Sequence, residues 1–330
     1  MTDEGRRAPA SVTVVVVAYE AAAQLPLCLA AVAAQTVPPR RVVVIDNDSR
    51  DASADIAEAA GAEVVRAGAN LGFAAANNLA ASRTGTEWIA LLNPDAYPAP
   101  DWLERLLDAT RRWPEAEAFG STQIDAGDEA VLDGIGDAYF FAGIPYRAGF
   151  GRANRDLPGE GEVFGPCAAA ALWRRERFLA LGGFEERFFC YGEDVDLAYR
   201  HRLEGGACVQ VPDAVVRHEG SGISGRRSDF TTYHGHRNRV WTYLRDTPLP
   251  LLLASLPLHL TLNLYLVLRL AVAGQHRPYL RALRDAARGA GPFLGERRAL
   301  HADAAPTRAI ARALTWSPIA LVRRRAKVWR

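Results

Sequence analysis

Residues 11–18 read SVTVVVVA, a β-branched run with no alternation of apolar and charged positions. A strand with one face in water alternates, so a run like this belongs inside a sheet that is covered on both faces. The next hundred residues supply the cover. Residues 21–34 are helix formers, RVVVI at 41–45 is a second buried strand and 53–60 is helical. Residues 63–66 make a short strand, 77–82 lie in another helix and EWIALL at 87–92 is a fourth strand. This alternation predicts an α/β chain with a Rossmann-like, doubly wound, mostly parallel sheet. Ligands of such sheets bind at the carboxyl ends of the strands. Those ends carry Tyr19-Glu20, Asp46-Asn47-Asp48 and Asn93-Pro94-Asp95.

The remainder divides in two. Residues 124–155 are rich in Gly and Asp and read as extended hairpins or an acceptor-side loop. Helices are expected at 174–181 and 193–203, each stopped by a Gly-Gly pair, and short strands at 209–211 and 214–216. A first domain is expected over 1–243 and a helical extension over 244–330. Within the extension, 248–268 carries no formal charge and would reach about 31 Å as a helix, the thickness of a bilayer core. Pro257, His259 and Asn263 argue against a single span. An interfacial or re-entrant helix is expected, and packing on the protein's own core is the alternative. From residue 275 onward there are 13 Lys and Arg against Asp285, Glu296 and Asp303, whereas the preceding 274 residues hold 26 basic and 35 acidic. A basic tail after an apolar segment points to an anionic membrane surface. Nucleic acid is not expected, because the tail lacks interleaved aromatic residues. Cys28, Cys167, Cys190 and Cys208 have no metal spacing and are expected to be buried thiols. Residues 1–10 are polar, without the apolar stretch of a secretory signal. A cytoplasmic protein, peripheral at the inner face of the plasma membrane, is the expectation. Oligomerisation stays open.

Asp46, at a second strand end, can accept hydrogen bonds from a base or a ribose hydroxyl, while Asp48 and Asp51 are explained by capping. Asp95 can ligate Mg2+ or Mn2+ beside a diphosphate, or simply shape an Asn-Pro-Asp turn. Glu193, Asp194 and Asp196 open a helix, where the macrodipole favours them. Asp194 can also serve as general base toward an attacking hydroxyl. His218 follows a short strand, and neutral imidazole is a common metal ligand, although a lone His is more often structural.

Six segments occur in order between residues 12 and 224: VTVVVVAYE, VVVIDNDSRDAS, NLGFAAANN, WIALLNPDAYP, GGFEERFFCYGEDVDLAYRHRLEGG and VPDAVVRHEGSGIS. With them the chain resembles glycosyltransferase family 2, and most of all its bacterial rhamnosyltransferase-type branch. The resemblance implies a GT-A fold with a C-terminal helical, membrane-associating extension. It implies inverting transfer of a single sugar from a nucleotide-sugar donor to a cell-envelope glycan or lipid-linked acceptor, with a divalent metal. L-Rhamnose from dTDP-rhamnose is the first expectation for the donor, with UDP-, GDP- and other dTDP-sugars open. It further implies that Tyr19 stacks near the base and that Asp46 holds base or ribose. Asn70, Gly72 and Asn78 would line the donor pocket. Asp95 and His218 would hold the metal, and Asp194 would be the base. Trp173, Glu193 and Asp196 would lie on the acceptor side, with Phe184 in packing contacts. Three positions depart from the family pattern. Glu20 stands where many members have Asn, and Asn93 replaces the first Asp of a DxD-like element. HRNRVW at 236–241 stands in place of the QxxRW of processive enzymes, with Arg237 and Arg239 as possible phosphate partners. A nucleotidyltransferase would need a Gly-rich basic loop after the first strand, where this chain has AYEAAAQLP. The alternative is a catalytically silent subunit that binds nucleotide or glycan within an envelope-biosynthesis assembly.

Overall fold

The computed structural model describes residues 10–220, 228–272 and 274–330. The polar start of the chain and the SGIS that ends the last motif, residues 221–224, lie outside the described residues. The first strand, β1 (Ala10–Ala18), is central, as its sequence requires. Its even-numbered side chains Val12, Val14 and Val16 pack under α1 (Leu25–Ala33), and Val15 and Val17 turn to the opposite layer. Each such valine contributes roughly 1.5–3 kcal/mol by leaving water. To one side lie β2 (Pro39–Asp46) and β3 (Glu63–Arg66), joined through α2 (Ser53–Ala59). On the other lies β4 (Trp88–Leu92), reached through α3 (Gly72–Arg83). The four strands β3-β2-β1-β4 are parallel.

Beyond them the chain adds β5 (Ala96–Pro98), α4 (Trp102–Arg112), β6 (Ala116–Asp125), β7 (Leu132–Gly134), and a hairpin of β8 (Asp137–Phe140) and β9 (Ile144–Arg147). β10 (Gly161–Val163), β11 (Ala170–Arg174), α5 (Arg175–Ala180), α6 (Glu193–Leu203) and β12 (Ala207–His218) follow. The sheet order is β10-β12-β6-β11-β4-β1-β2-β3, with β11 antiparallel between β4 and β6, and β12 parallel to β6. The two short strands expected near 209–216 are one strand, β12, whose register slips between Val211 and Val215. Pro212 lies in the slip, where it has no N–H to give a ladder.

Five helices complete the chain: α7 (Asp229–Asp246), α8 (Leu249–Val272), α9 (His276–Arg288), α10 (Ala290–Leu300) and α11 (Thr307–Ala313), followed by the short α12 (Pro318–Val322). They are bonded to the sheet portion rather than tethered to it. Trp329 exchanges two backbone hydrogen bonds with Glu162, and Thr315 bonds to Tyr139 and Phe141. α7 is tied in by Arg245, which pairs with Glu185 at 2.7 Å, with Asp246 at 2.8 Å and with Asp196. Asp196 also holds Arg200 at 2.8 Å. Removing one partner from a buried network of this kind costs about 3–5 kcal/mol.

α8 is long and apolar enough to cross a membrane by length and composition, with a mean hydropathy of 1.8. It runs unbroken through Pro257, which therefore does not interrupt it. Three of its polar residues, Ser255, His259 and Asn263, point into the protein. Ser255 bonds to the Tyr243 hydroxyl at 2.8 Å, His259 stacks on Tyr243 and bonds to the Ala142 carbonyl, and Asn263 accepts from Arg239 at 2.6 Å. Its leucines 253, 260, 264 and 268 are 59–62% exposed. A helix that turns its polar stripe inward and its leucines outward is the reverse of a core helix.

Candidate active site

One cleft of about 1320 Å³ opens at the strand ends. This volume exceeds what a single small ligand needs. Tyr19, Asn47, Asn70, Gly72, Asn93, Asp95, Glu193, Asp194 and His218 all line it. The β2 end and the start of α3 are joined by Asn47, whose Nδ2 donates to Asn70 Oδ1 at 3.0 Å and whose Oδ1 accepts from the Leu71 amide at 2.8 Å. Gly72 has φ +79, and a β-carbon there would lie 2.5 Å from the Phe189 carbonyl oxygen. The bare glycine admits Phe189, whose carbonyl accepts from the Ala74 amide.

Phe189 begins a tight turn. Phe189, Tyr191 and Gly192 have φ of 66, 72 and 84, a region costly for the first two. Asn238 of α7, fully buried, holds the turn in place. Its Nδ2 lies 2.7–3.0 Å from the carbonyl oxygens of Phe188, Cys190 and Tyr191. The turn delivers the first residues of α6 to the cleft. Asp194 accepts from the amides of Val195 at 2.9 Å and Ala168 at 3.2 Å. Asp137 and Cys167 approach it, with candidate ligand atoms of the three within 4.8 Å of one another. Burial, then the neighbouring Asp194, pushes the Asp137 carboxyl well above the carboxylate range, and burial followed by Asp194 does the same to Glu193. Burial pushes the Cys167 thiol up to about 12. Asp194 stands in the first turn of α6 at the cleft wall, where it can face an acceptor hydroxyl.

The metal-like group lies elsewhere in the cleft. Strand register sets it, because β12 pairs with β5 so that His218 stands opposite Ala96, beside Asp95. His218 Nε2 lies 3.2 Å from Asp95 Oδ1, close to the spacing of about 3 Å between adjacent ligands of an octahedral cation. Its Nδ1 donates to Asp133 at 2.7 Å, the kind of carboxylate support that ligating histidines use. Burial opposes the imidazolium, but the bonds to Asp133 and Asp95 outweigh it and raise the His218 pKa. Asp133 also pairs with Arg147 at 2.5 Å. The set suits a hard divalent cation, with phosphate and water left to complete it.

Several expected site residues are not in this cleft. Trp173 is buried in the core against Phe178 and His201 and reaches no acceptor space. Asp196 lies two residues, about 200°, around α6 from Asp194 and is consumed by Arg200 and Arg245. Asn78 grips the Phe184 backbone with both ends of its amide and supports the pocket from behind. Glu20, at φ 51, accepts from the Arg50 amide and fixes a surface turn. Asp46 is buried beside the cleft, not on its wall, and caps the Ser49 amide at 3.2 Å. Arg237 is spent on the carbonyls of Arg187 and Phe188, whereas Arg239 does reach the cleft. Phe184 packs in the core and, like Trp173, does not line the cleft. Sequence reasoning missed Asp133, Asp137, Arg147 and Asn238. The only signal for the first three was an Asp- and Gly-rich segment between 124 and 155.

Comparison with known proteins gives the family and the fold. The model of the family described as glycosyl transferase family 2 matches residues 13–176. The N-acetylglucosaminyl-diphospho-decaprenol L-rhamnosyltransferase of Mycobacterium tuberculosis is 30% identical over 263 residues, covering 71% of this chain and 83% of that protein. The chain belongs to glycosyl transferase family 2. It is a nucleotide-sugar-dependent glycosyltransferase of the rhamnosyltransferase-like branch. Its fold is that of S. aureus TarS in complex with UDP-GlcNAc, with a TM-score of 0.57 at 17% identity over 88% of each chain. A mannosyltransferase from Pyrobaculum calidifontis, in complex with GDP-Man and Mn2+, has a TM-score of 0.55 at 20% identity, covering 93% of this chain and 85% of that one. This is the GT-A type of α/β fold, here with a C-terminal helical region.

Two glycines test how the glycosyltransferase cleft is built. Gly61 has the same φ as Gly72, but nothing lies within 4 Å of its would-be β-carbon. Gly61→Ala is expected to cost about 1 kcal/mol from backbone strain alone. Gly72→Ala should cost clearly more in urea unfolding and weaken nucleotide binding. Equal losses at both positions would show that the Phe189 contact carries nothing.

Proposed function

We propose that this glycosyltransferase moves L-rhamnose, with inversion, from dTDP-rhamnose to an N-acetylglucosaminyl-diphospho-polyprenol at the inner face of the plasma membrane. The observation that carries the reading is one cleft shared by Tyr19, Asp95, His218 and Asp194. The donor and acceptor follow from the similarity to the mycobacterial rhamnosyltransferase.

Tyr19, 40% exposed at the end of β1, offers a ring for the base. The wall formed by Asn70 and Gly72 receives the nucleotide, with Asn47 holding its shape. Asp95 and His218 hold Mg2+ or Mn2+, which would supply positive charge for the departing diphosphate. The acceptor hydroxyl enters beside Asp194. Its oxygen bonds to the anomeric carbon as the bond from that carbon to the diphosphate oxygen breaks. Asp194 takes the proton, and the nucleoside diphosphate leaves with the electron pair. Glu193, whose carboxyl burial and Asp194 push above the carboxylate range, lines the cleft beside it. Asn93, in place of a carboxylate, spares the site one negative charge near the phosphates.

Asp194→Asn should lower transfer at least about 100-fold while nucleotide binding stays nearly intact. Chelation by EDTA should abolish transfer, and added Mn2+ should restore it. Transfer at the normal rate by Asp194→Asn, or in metal-free buffer, would overturn the respective role.

The same reading places the exposed leucines of α8 and the arginines that follow it on an anionic leaflet. Full-length protein should float with phosphatidylglycerol vesicles, and Leu260→Asp with Leu264→Asp should release it. Unchanged flotation of that double variant would remove α8 from the membrane contact.

A further inference from the structure

The cleft does not end at the catalytic carboxylates. It continues to α8 and α12, where its walls change character. Leu258, Leu262 and Leu266, spaced four apart on one stripe of α8, line it together with Leu321 of α12. This stripe differs from the exposed one of Leu260, Leu264 and Leu268. Where the apolar walls meet the catalytic end, three guanidinium groups gather from separate elements: Arg147 from β9, Arg269 from α8 and Arg324 just after α12.

The arginines are a charge cluster in want of an anion. Arg147 has Asp133. Among the described residues no carboxylate pairs with Arg269 or Arg324. Arg324 is held in a left-handed backbone conformation, φ 48, by its amide bonding to Leu321 and its carbonyl accepting from Gly149. Burial, then Arg147 and Arg269, lowers its pKa, so the three cations feel one another. Like charges gathered against a partly apolar wall favour a bound anion. The donor's diphosphate belongs at Asp95 and His218, and it carries no hydrocarbon for the leucine stripe. A ligand with a phosphate head and an apolar chain complements both features.

We propose that Arg147, Arg269 and Arg324 form a subsite for the diphosphate of an isoprenoid-linked acceptor, whose first isoprene units lie along Leu258, Leu262 and Leu266. The proposal rests on the lipid-linked acceptor read above and assigns it a place. It orders the cleft from nucleotide, through metal and base, to lipid.

The probe is geranyl diphosphate, titrated calorimetrically into the full chain with dTDP and Mn2+ filling the donor end. Wild type should bind it, and bind inorganic diphosphate more weakly. Arg269→Gln with Arg324→Gln should weaken geranyl diphosphate at least about tenfold and leave dTDP binding unchanged. If the pair disturbs folding, Arg269→Gln alone, on an exposed position, reads the same loss. Leu262→Gln should weaken geranyl diphosphate but not inorganic diphosphate. The subsite is refuted if wild type does not bind geranyl diphosphate, or if the arginine variants bind it normally. Equal affinity for inorganic diphosphate would make the cluster a plain phosphate site. Loss of vesicle flotation alone would make it a headgroup contact. If the variants behave as expected but no sugar passes to acetylglucosaminyl-diphospho-lipids, the acceptor sugar falls and the subsite stands.

Discussion

The hold of Asn238 on the turn at residues 188–191 is the contact on which the rest of the cleft depends. Without it, a turn with two side-chain-bearing residues at positive φ would relax, and α6 would present its acidic end elsewhere. Gly72 supplies the other half of the clamp, because only a missing β-carbon lets Phe189 come so close. One side of the turn is therefore fixed by the sheet portion and the other by α7. The helices after the sheet help to shape the cleft. Arg245, bridging α7, α6 and the segment around Glu185, holds that arrangement with buried charge.

Charge is sorted along the cleft. Asp95, Asp133, Asp137, Glu193 and Asp194 crowd one end, where a cation and a proton have to be managed. Burial, and then the neighbouring Asp194, push the Asp137 and Glu193 carboxyls well above the carboxylate range. Arginines stand where this end meets the hydrocarbon walls, Arg147 directly on Asp133. The proposed transfer from a nucleotide diphosphate to a lipid diphosphate has to accommodate two diphosphates of different fate, one departing and one staying. A metal-compatible pair and a guanidinium cluster, neighbours within one cleft, fit that requirement.

Local pattern carried much of this to the surface of the sequence. The valine run fixed the middle strand, and the order of motifs located Asp95, Asp194 and His218, which share a cleft although 123 positions separate the first from the last. Asp196 and Trp173 were misjudged because they neighbour motif residues in the chain, yet helix rotation and strand facing send them into the core. Helical geometry could have corrected the first, since two residues along α6 is more than half a turn. Asp133, Asp137 and Arg147 were illegible for a different reason. They come from strands of three or four residues paired as local hairpins, too short for any periodicity to mark a buried carboxylate. Asn238 gives no local sign either, because its partners are backbone carbonyls about fifty residues away. On α8, apolar composition was visible at once. Only the structure told which side of it faced the protein.

The central claim is that the metal-diphosphate end and the base end are distinct groups within a single cleft. Anomalous scattering from crystals grown with dTDP and Mn2+ tests it most directly. The account predicts one manganese peak between Asp95 and His218, with the diphosphate completing its shell and Asp194 free of it. A peak on Asp137, Cys167 and Asp194 instead would contradict the division of roles on which everything above depends.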